Sequence, residues 1–447
     1  MDPLSLIPQF GSLIYTLLAF VVALSVIVAI HEYGHYIVGR WSGIKADVFS
    51  LGFGPVLYSR VDRHGTKWQF ALLPFGGYVK FRGDANAASG KDGEAMSNLS
   101  PEELRATMHG APLWARAATV AAGPMFNFIL SILVFAAIMM SRGVASDPLT
   151  VGELMPLPQQ HELRVGDVLV EIGGIKVPNQ DDAGGFDEIL ASNAPAAVVD
   201  YAILRDGDSL VVGGPYPFPP LIGQVAPQSA AYDIGLQAGD VIVELEGAPI
   251  YAFEQLRTVV ESSSGRALAL KVWRDGEVLD FALAPRRTDE PQPDNTFKTH
   301  WRIGIVGGLF FEPATESPGL WSAVTGGTAQ VWQIMQGSVS GLYHMITGAI
   351  SSCNLSGPIG IAQTSGAMAS QGGTSFIWFI AVLSTAVGLL NLFPIPILDG
   401  GHLVFYAFEA VTGKPPSDRA LQILMTLGLA LILTLMVFAL GNDLFCP

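Results

Sequence analysis

The sequence predicts a multi-pass α-helical membrane protein of four spans, with a membrane-associated β-hairpin region in its first loop and two tandem extracytoplasmic β-rich domains. Three observations carry this expectation. Half of the 447 residues are apolar and only 14% are charged, and the mean hydropathy is +0.42. A soluble chain of this size carries about 25% charged residues. Four runs are long enough to cross a bilayer, which takes about 20 apolar residues at about 1.5 Å of rise each. Finally, a nine-residue motif occurs twice within residues 141–374.

The first span, about 12–36, ends in "HEYGH". The second, 117–140, is interrupted by Gly123-Pro124 and Asn127. The third, about 375–393, runs into a proline-broken tail, "NLFPIPILDGGH" (391–402). The fourth, 421–440, carries no charge. No Lys or Arg precedes Arg40, whereas residues 37–112 carry nine, from Arg40 through Lys91 to Arg105. The positive-inside rule puts that loop in the cytoplasm and both termini outside. The lack of a basic start also argues against a cleaved signal peptide. Within the first loop, "DVFSLGFGPVLYSR" (47–60) and "TKWQFALLPFGGYVKF" (66–81) flank the turn "VDRHG" and read as two strands.

Segment 141–374 then lies outside. It holds 12 Lys/Arg against 26 Asp/Glu and so supplies most of the net charge of −15, which argues against a nucleic-acid partner. "GDVLVEIGG" (166–174) and "GDVIVELEG" (239–247) agree at six of nine positions. Each is followed by a helical stretch, 184–192 and 252–263, and by a hairpin around Arg-Asp-Gly. The layout is a first span in 1–36, a loop over 37–112, a second span at 113–140, and β-rich domains over 148–216 and 217–287. A linker with an amphipathic membrane-surface region covers 288–374. The third segment covers 375–402, a cytoplasmic connection 403–420, and the last span 421–441. The linker reading rests on "RRTDEPQPDNT" (286–296), and the amphipathic one on Trp321, Trp332 and Tyr343. Helices packed on the membrane domain are an equal reading of that last stretch. Cys353 and Cys446 are too few for a disulfide framework, and the sequence gives neither a role.

The strand, helix and hairpin order of the repeat resembles PDZ domains of the bacterial protease type, most clearly in "AAYDIGLQAGDVIVELEGAPI" (230–250). Such domains bind extended peptides by adding a strand to their sheet.

The membrane chemistry starts from His31, Glu32 and His35. Positions i and i+4 share a helix face, so both imidazoles can reach one Zn²⁺ while Glu32 reaches a water beside it. Gly34 keeps that part of the helix slim. An acidic residue inside a span costs about 2.5–3.5 kcal/mol on insertion scales, so a compensating dication is expected. Histidines packed at a helix end are the plain alternative. A catalytic zinc needs a third protein ligand. Asp399 is the best candidate, because Pro394 and Pro396 break the third span and let irregular backbone line a cavity. His402 and Glu409 compete with it, and Asp399 also suits a simple turn.

"HEYGH" near the end of a first span, "NLFPIPILDGG" in a later one and the two repeats between them together resemble the site-2 protease family, more narrowly its bacterial sigma-E regulator type. The resemblance implies an intramembrane zinc endopeptidase in a bacterial inner membrane. It maps His31, His35 and Asp399 to metal ligands, Glu32 to the catalytic glutamate and Asn391 to a group that holds the substrate backbone. It implies a single-span membrane substrate, an anti-sigma factor or a remnant signal peptide already shortened outside. It also implies that the 47–81 strands dip into the bilayer beside the site. A membrane adaptor with a structural metal and peptide-binding repeats is the rival reading.

Overall fold

The structure, a computed structural model, describes residues 7–84, 96, 99–178, 185–292 and 296–446. Lys91, Gly184 and residues 293–295 of the expected linker lie outside these. Single-turn helices aside, the chain begins with α1 (Ile7–Trp41), β1 (Ala46–Val61), β2 (Lys67–Phe81) and α2 (Leu113–Arg142). Next come β3 (Val144–Ala145), β4 (Val151–Leu154), β5 (Val168–Ile172), β6 (Ile175–Lys176), α3 (Gly185–Ser192), β7 (Val199–Arg205) and β8 (Asp208–Gly214). The second repeat gives β9 (Ile222–Val225), β10 (Val241–Leu245), β11 (Ala248–Pro249), α4 (Phe253–Ser262), β12 (Leu268–Arg274) and β13 (Glu277–Leu283). Five strands follow: β14 (Arg286–Pro291), β15 (Phe297–Arg302), β16 (Ile305–Gly307), β17 (Phe311–Pro313) and β18 (Thr315–Glu316). The chain closes with α5 (Leu320–Ile346), α6 (Pro358–Ser370), α7 (Gly373–Asn391), α8 (Asp399–Thr412) and α9 (Asp418–Phe445).

These elements form two compact units. One contains the described parts of Met1–Ile138, Leu320–Tyr343 and Ser352–Pro447; the other contains Met139–Gly319 and His344–Ser351.

In the first unit, four helices among the described residues are long and apolar enough to cross a membrane: α1 from Leu13, α2, α7 and α9. β1 and β2 are bent, so that Phe49 lies between Val79 and Trp68 and Leu51 between Gly77 and Phe70. Gly52 makes the bend possible: its φ is +91°, and a Cβ there would stand 2.8 Å from the Leu73 carbonyl. Tyr36, Phe49, Val79, Phe81, Ala115 and Val120 form one buried cluster that fixes this sheet to α1 and α2. The turn is held by Asp62, which accepts from Tyr36 Oη, Trp68 Nε1 and the His64 and Thr66 amides at 2.8–3.0 Å. Burial pushes the Asp62 carboxyl up, but these donors outweigh it and hold its pKa down at about 2.

The stretch expected on the membrane surface is the long helix α5, and one side of it is packed. Ala323, Gly327 and Val331 are buried, Gly327 comes close to the Ile132 carbonyl of α2, and Val331 joins Phe128, Phe135 and Ala381 in a core cluster. Trp321 and Trp332 remain 79% and 58% exposed. The two cysteines, given no role by sequence, form a disulfide: Cys353 and Cys446 are joined, with Cα atoms 5.6 Å apart. The same end of α9 binds the 352–359 loop twice more. Asn442 Nδ2 donates to the Ser352 carbonyl at 2.7 Å, and the Asp443 carboxylate accepts from the Gly357 and Ile359 amides at 2.7 and 2.9 Å. Those amides open α6 and have no partner within the helix.

In the second unit each repeat builds a four-stranded sheet, ordered β6-β5-β7-β8 and β11-β10-β12-β13. Both Arg-Asp-Gly hairpins turn with positive φ at the central pair, Asp206-Gly207 and Asp275-Gly276, the tight geometry that Asp-Gly favours. The Asp of each Gly-Asp motif meets the Arg of its own Arg-Asp-Gly. Arg205 reaches Asp167 at 2.7 and 2.8 Å, and Arg274 reaches Asp240 at 2.6 and 2.6 Å. The amides of Arg164 and Gln237, each three residues before the Asp, complete the two sets. Burial raises the Asp167 carboxyl, but Arg205 and the Arg164 amide bring it below the usual carboxylate range.

The expected linker is corrected here. Residues 286–291 pair with 297–302 as a hairpin. Downstream, β16 pairs with β9, β17 with β4, and β18 with β3. Ile303 is buried in the core of the second repeat, and Phe310 and Phe311 in the core of the first. Pro and Asp made the stretch look unstructured, yet it closes both domains.

Candidate metal centre

α1 presents His31 and His35 one turn apart, with the rings edge to face at 4.7 Å. α7 ends at Asn391, and the chain turns through Pro394 and Pro396 before α8 begins at Asp399. The turn is tight enough that a Cβ on Gly400 would overlap the Leu392 and Phe393 carbonyls, which explains the paired glycines after the aspartate. Asp399 thereby sits in the first turn of a helix, where the dipole favours an anion.

Three atoms converge. His31 Nε2 lies 3.1 Å from His35 Nε2 and 3.2 Å from Asp399 Oδ2, and the third side of the triangle is 3.5 Å. The His31 and Asp399 side chains are only 12% and 15% exposed, and Asp399 Oδ2 is buried without a hydrogen-bond donor. A buried carboxylate oxygen without a donor is costly. His35 Nδ1 is bound to the Thr119 carbonyl at 2.9 Å, so that nitrogen carries the proton and Nε2 offers a lone pair. Lone pairs facing one another repel unless a cation sits between them. Four donors placed tetrahedrally about 2.0–2.1 Å from zinc lie about 3.3 Å apart, and the observed spacings bracket that value. The residues present fit zinc.

α2 forms the back wall. Gly123 faces both rings, and a Cβ there would stand 2.5 Å from His35 Cε1 and 2.8 Å from His31 Cε1. Gly34 similarly lets the Ala122 carbonyl approach α1; a Cβ there would be 2.5 Å away. Glu32 turns toward β2. A Cβ on Gly77 would lie 3.3 Å from its Cγ.

The competing ligands are accounted for. Glu409 is held by Arg116 through two hydrogen bonds of 3.0 and 2.6 Å. His402 is outside the three-residue group and stacks edge-on with Phe405. Asn391, at the end of α7, donates from Nδ2 to the Val387 carbonyl of its own helix at 3.0 Å. Sequence reasoning missed Thr119, Gly123 and Asn127 as neighbours of the histidines. The available signal was the Gly-Pro and Asn interrupting the second span.

The sequence model of peptidase family M50 matches residues 19–435. The chain belongs to peptidase family M50. This M50 chain is 37% identical over 434 residues, 96% of either protein, to one named as a zinc metalloprotease in Rhizobium meliloti. It is 34% identical over 461 residues to the regulator of sigma-E protease of Salmonella typhimurium, covering 97% of this chain and 99% of the other. A Brucella suis protein, also named as a zinc metalloprotease, is 34% identical over 447 residues. The resemblance read from the motifs is therefore correct at the family level, and the protein is a zinc metallopeptidase of the M50 type.

Proposed function

We propose that His31, His35 and Asp399 hold the zinc, that Glu32 is the general base, and that the enzyme cuts single-span membrane proteins within the bilayer. The observation that carries this is the convergence of three ligand groups, His31 and His35 on α1, a helix of membrane-spanning length, and Asp399 at the start of α8. When bound, zinc supplies a Lewis acid that polarises the scissile carbonyl and lowers the pKa of water. Glu32, beside the cluster but not needed as a ligand, takes the proton of the attacking water and returns it to the leaving amine.

A helical substrate has its peptide groups engaged within the helix, so part of it must be held extended. The segment 77–81 of the bent sheet runs past Glu32 at Gly77 and pairs only with β1 among the described strands, so a peptide would add there as a further strand. Exposed Phe53, Val56, Leu57, Tyr58 and Leu72 on the same sheet suit immersion in lipid. Asn391, at the end of α7 beside the break, would hold the substrate backbone.

The name of the Salmonella relative supports an anti-sigma factor as substrate class, shortened by an earlier cut, with remnant signal peptides as a second source. The two outer repeats would act as PDZ-like domains that bind peptides or turn away substrates with intact ectodomains. The expected topology is that of a bacterial inner-membrane protein with both termini and the repeats in the periplasm. The disulfide at the end of α9 supports an oxidising location for the C-terminus.

The test compares membrane-protein fragments from cells carrying the wild type and Glu32→Gln. The expected result is a set of truncated single-span proteins made by the wild type alone, while Glu32→Gln retains zinc. Identical fragment sets would remove Glu32 from the mechanism.

A further inference from the structure

Asn127 of α2 is completely buried, at 0% exposure. A buried amide needs partners for both ends. Its side-chain nitrogen lies 3.3 Å from His31 Nδ1, while Oδ1, as assigned, has no partner. A half-turn of the amide exchanges its oxygen and its nitrogen. Only one arrangement suits a metal ligand. His31 can offer Nε2 to zinc in its neutral form only if Nδ1 carries the proton. That proton needs an acceptor, and the Asn127 amide is the group placed to accept it. His35 is fixed in this way, by the Thr119 carbonyl at 2.9 Å.

The backbone of Asn127 is also anchored. Its carbonyl accepts from Ser131 Oγ and from Ser384 Oγ of α7, both at 3.0 Å, and both hydroxyl residues are fully buried. The side chain therefore projects from a fixed point.

We infer that Asn127 is a positioning residue that turns its amide oxygen to His31 Nδ1–H, setting the tautomer and ring orientation that leave Nε2 free for zinc. This rests on the proposed metal site. Loss of such an outer partner weakens metal binding by about 10–100-fold.

The test uses the full-length protein in detergent and measures zinc affinity by competition with a chromogenic chelator, together with the visible spectrum after Co²⁺ substitution. Asn127→Leu keeps the volume and removes the acceptor; Asn127→Asp keeps an acceptor oxygen. The expected result is a 10–100-fold loss of affinity and an altered Co²⁺ band in Asn127→Leu, with both restored in Asn127→Asp. Wild-type affinity in Asn127→Leu overturns the inference. So does an equal loss in both variants, which would mean that the amide nitrogen, and not an acceptor oxygen, is what Asn127 contributes. His31→Ala separates the two levels. If it binds zinc as tightly as the wild type, the metal site itself is wrong and the inference falls with it. If it loses zinc while Asn127→Leu does not, only the inference falls.

Discussion

Replacing Gly123 with alanine adds one methyl group to the wall behind both histidines. That Cβ would stand 2.5 Å from His35 Cε1 and 2.8 Å from His31 Cε1, whereas ordinary contact begins at 3.4 Å. The His35 ring must therefore move by about 1 Å. It cannot rotate freely, because Nδ1 is tied to the Thr119 carbonyl. Zinc ligand distances tolerate only about 0.2 Å, so the ring cannot keep both the hydrogen bond and the metal. Disturbing the orientation of a ligating histidine costs about 10–100-fold in metal affinity, at most about 2.7 kcal/mol. Chelator competition on purified Gly123→Ala should show zinc affinity reduced by about that factor. Gly337→Ala is the control: nothing lies within 4 Å of its Cβ position on α5, so zinc binding should not change, and the helix should gain up to about 1 kcal/mol. Wild-type affinity in Gly123→Ala would refute the close-approach reasoning.

Asp240→Asn should open the second repeat. Asp240 is 1% exposed and Arg274 22%, so a loss of about 3 kcal/mol is expected, the low end for breaking a buried pair. Hydrogen exchange of the Val241–Leu245 amides should speed up about 150-fold, with β5 of the first repeat unchanged. Cys353→Ala with Cys446→Ala removes a cross-link spanning 93 residues of sequence. The chain-entropy limit is about 4.6 kcal/mol, so the double variant should unfold at a lower temperature, and wild-type thiols should resist alkylation until reduced. The Asp62 carboxyl, held down at about 2, gives the turn a stability contribution that is complete above the ordinary carboxylate value of about 3.9. That contribution is lost as pH falls through about 2. A carbon-13 NMR titration of this carboxyl should have its midpoint near the lower value, and a midpoint near the ordinary one would contradict the four-donor turn.

Much of the site was legible because its signals are local or extreme. His31 and His35 follow from helical spacing, and a carboxylate beside broken, proline-bearing backbone stood out against an apolar span. The spans are visible through length and hydropathy alone. Asp167 and Asp240 were visible as a repeat, though their pairing with Arg205 and Arg274 was not. What remained hidden depends on proximity that the chain order does not encode. Cys353 and Cys446 meet across 93 residues. β16, β17 and β18 are two or three residues long, too short to show alternation, and they follow a Pro- and Asp-rich stretch that reads as a linker. Asn127 looked like an interhelical polar residue, since nothing in one sequence says which side chain faces it.

The most direct test of the metal centre is zinc X-ray absorption on active, full-length protein alongside Asp399→Ala. The expected spectrum shows one zinc per chain with two imidazoles and oxygen neighbours at about 2.0–2.1 Å, no sulfur, and loss of the oxygen ligand and of tight binding in Asp399→Ala. Active protein without stoichiometric zinc, or a spectrum unchanged by Asp399→Ala, would contradict it.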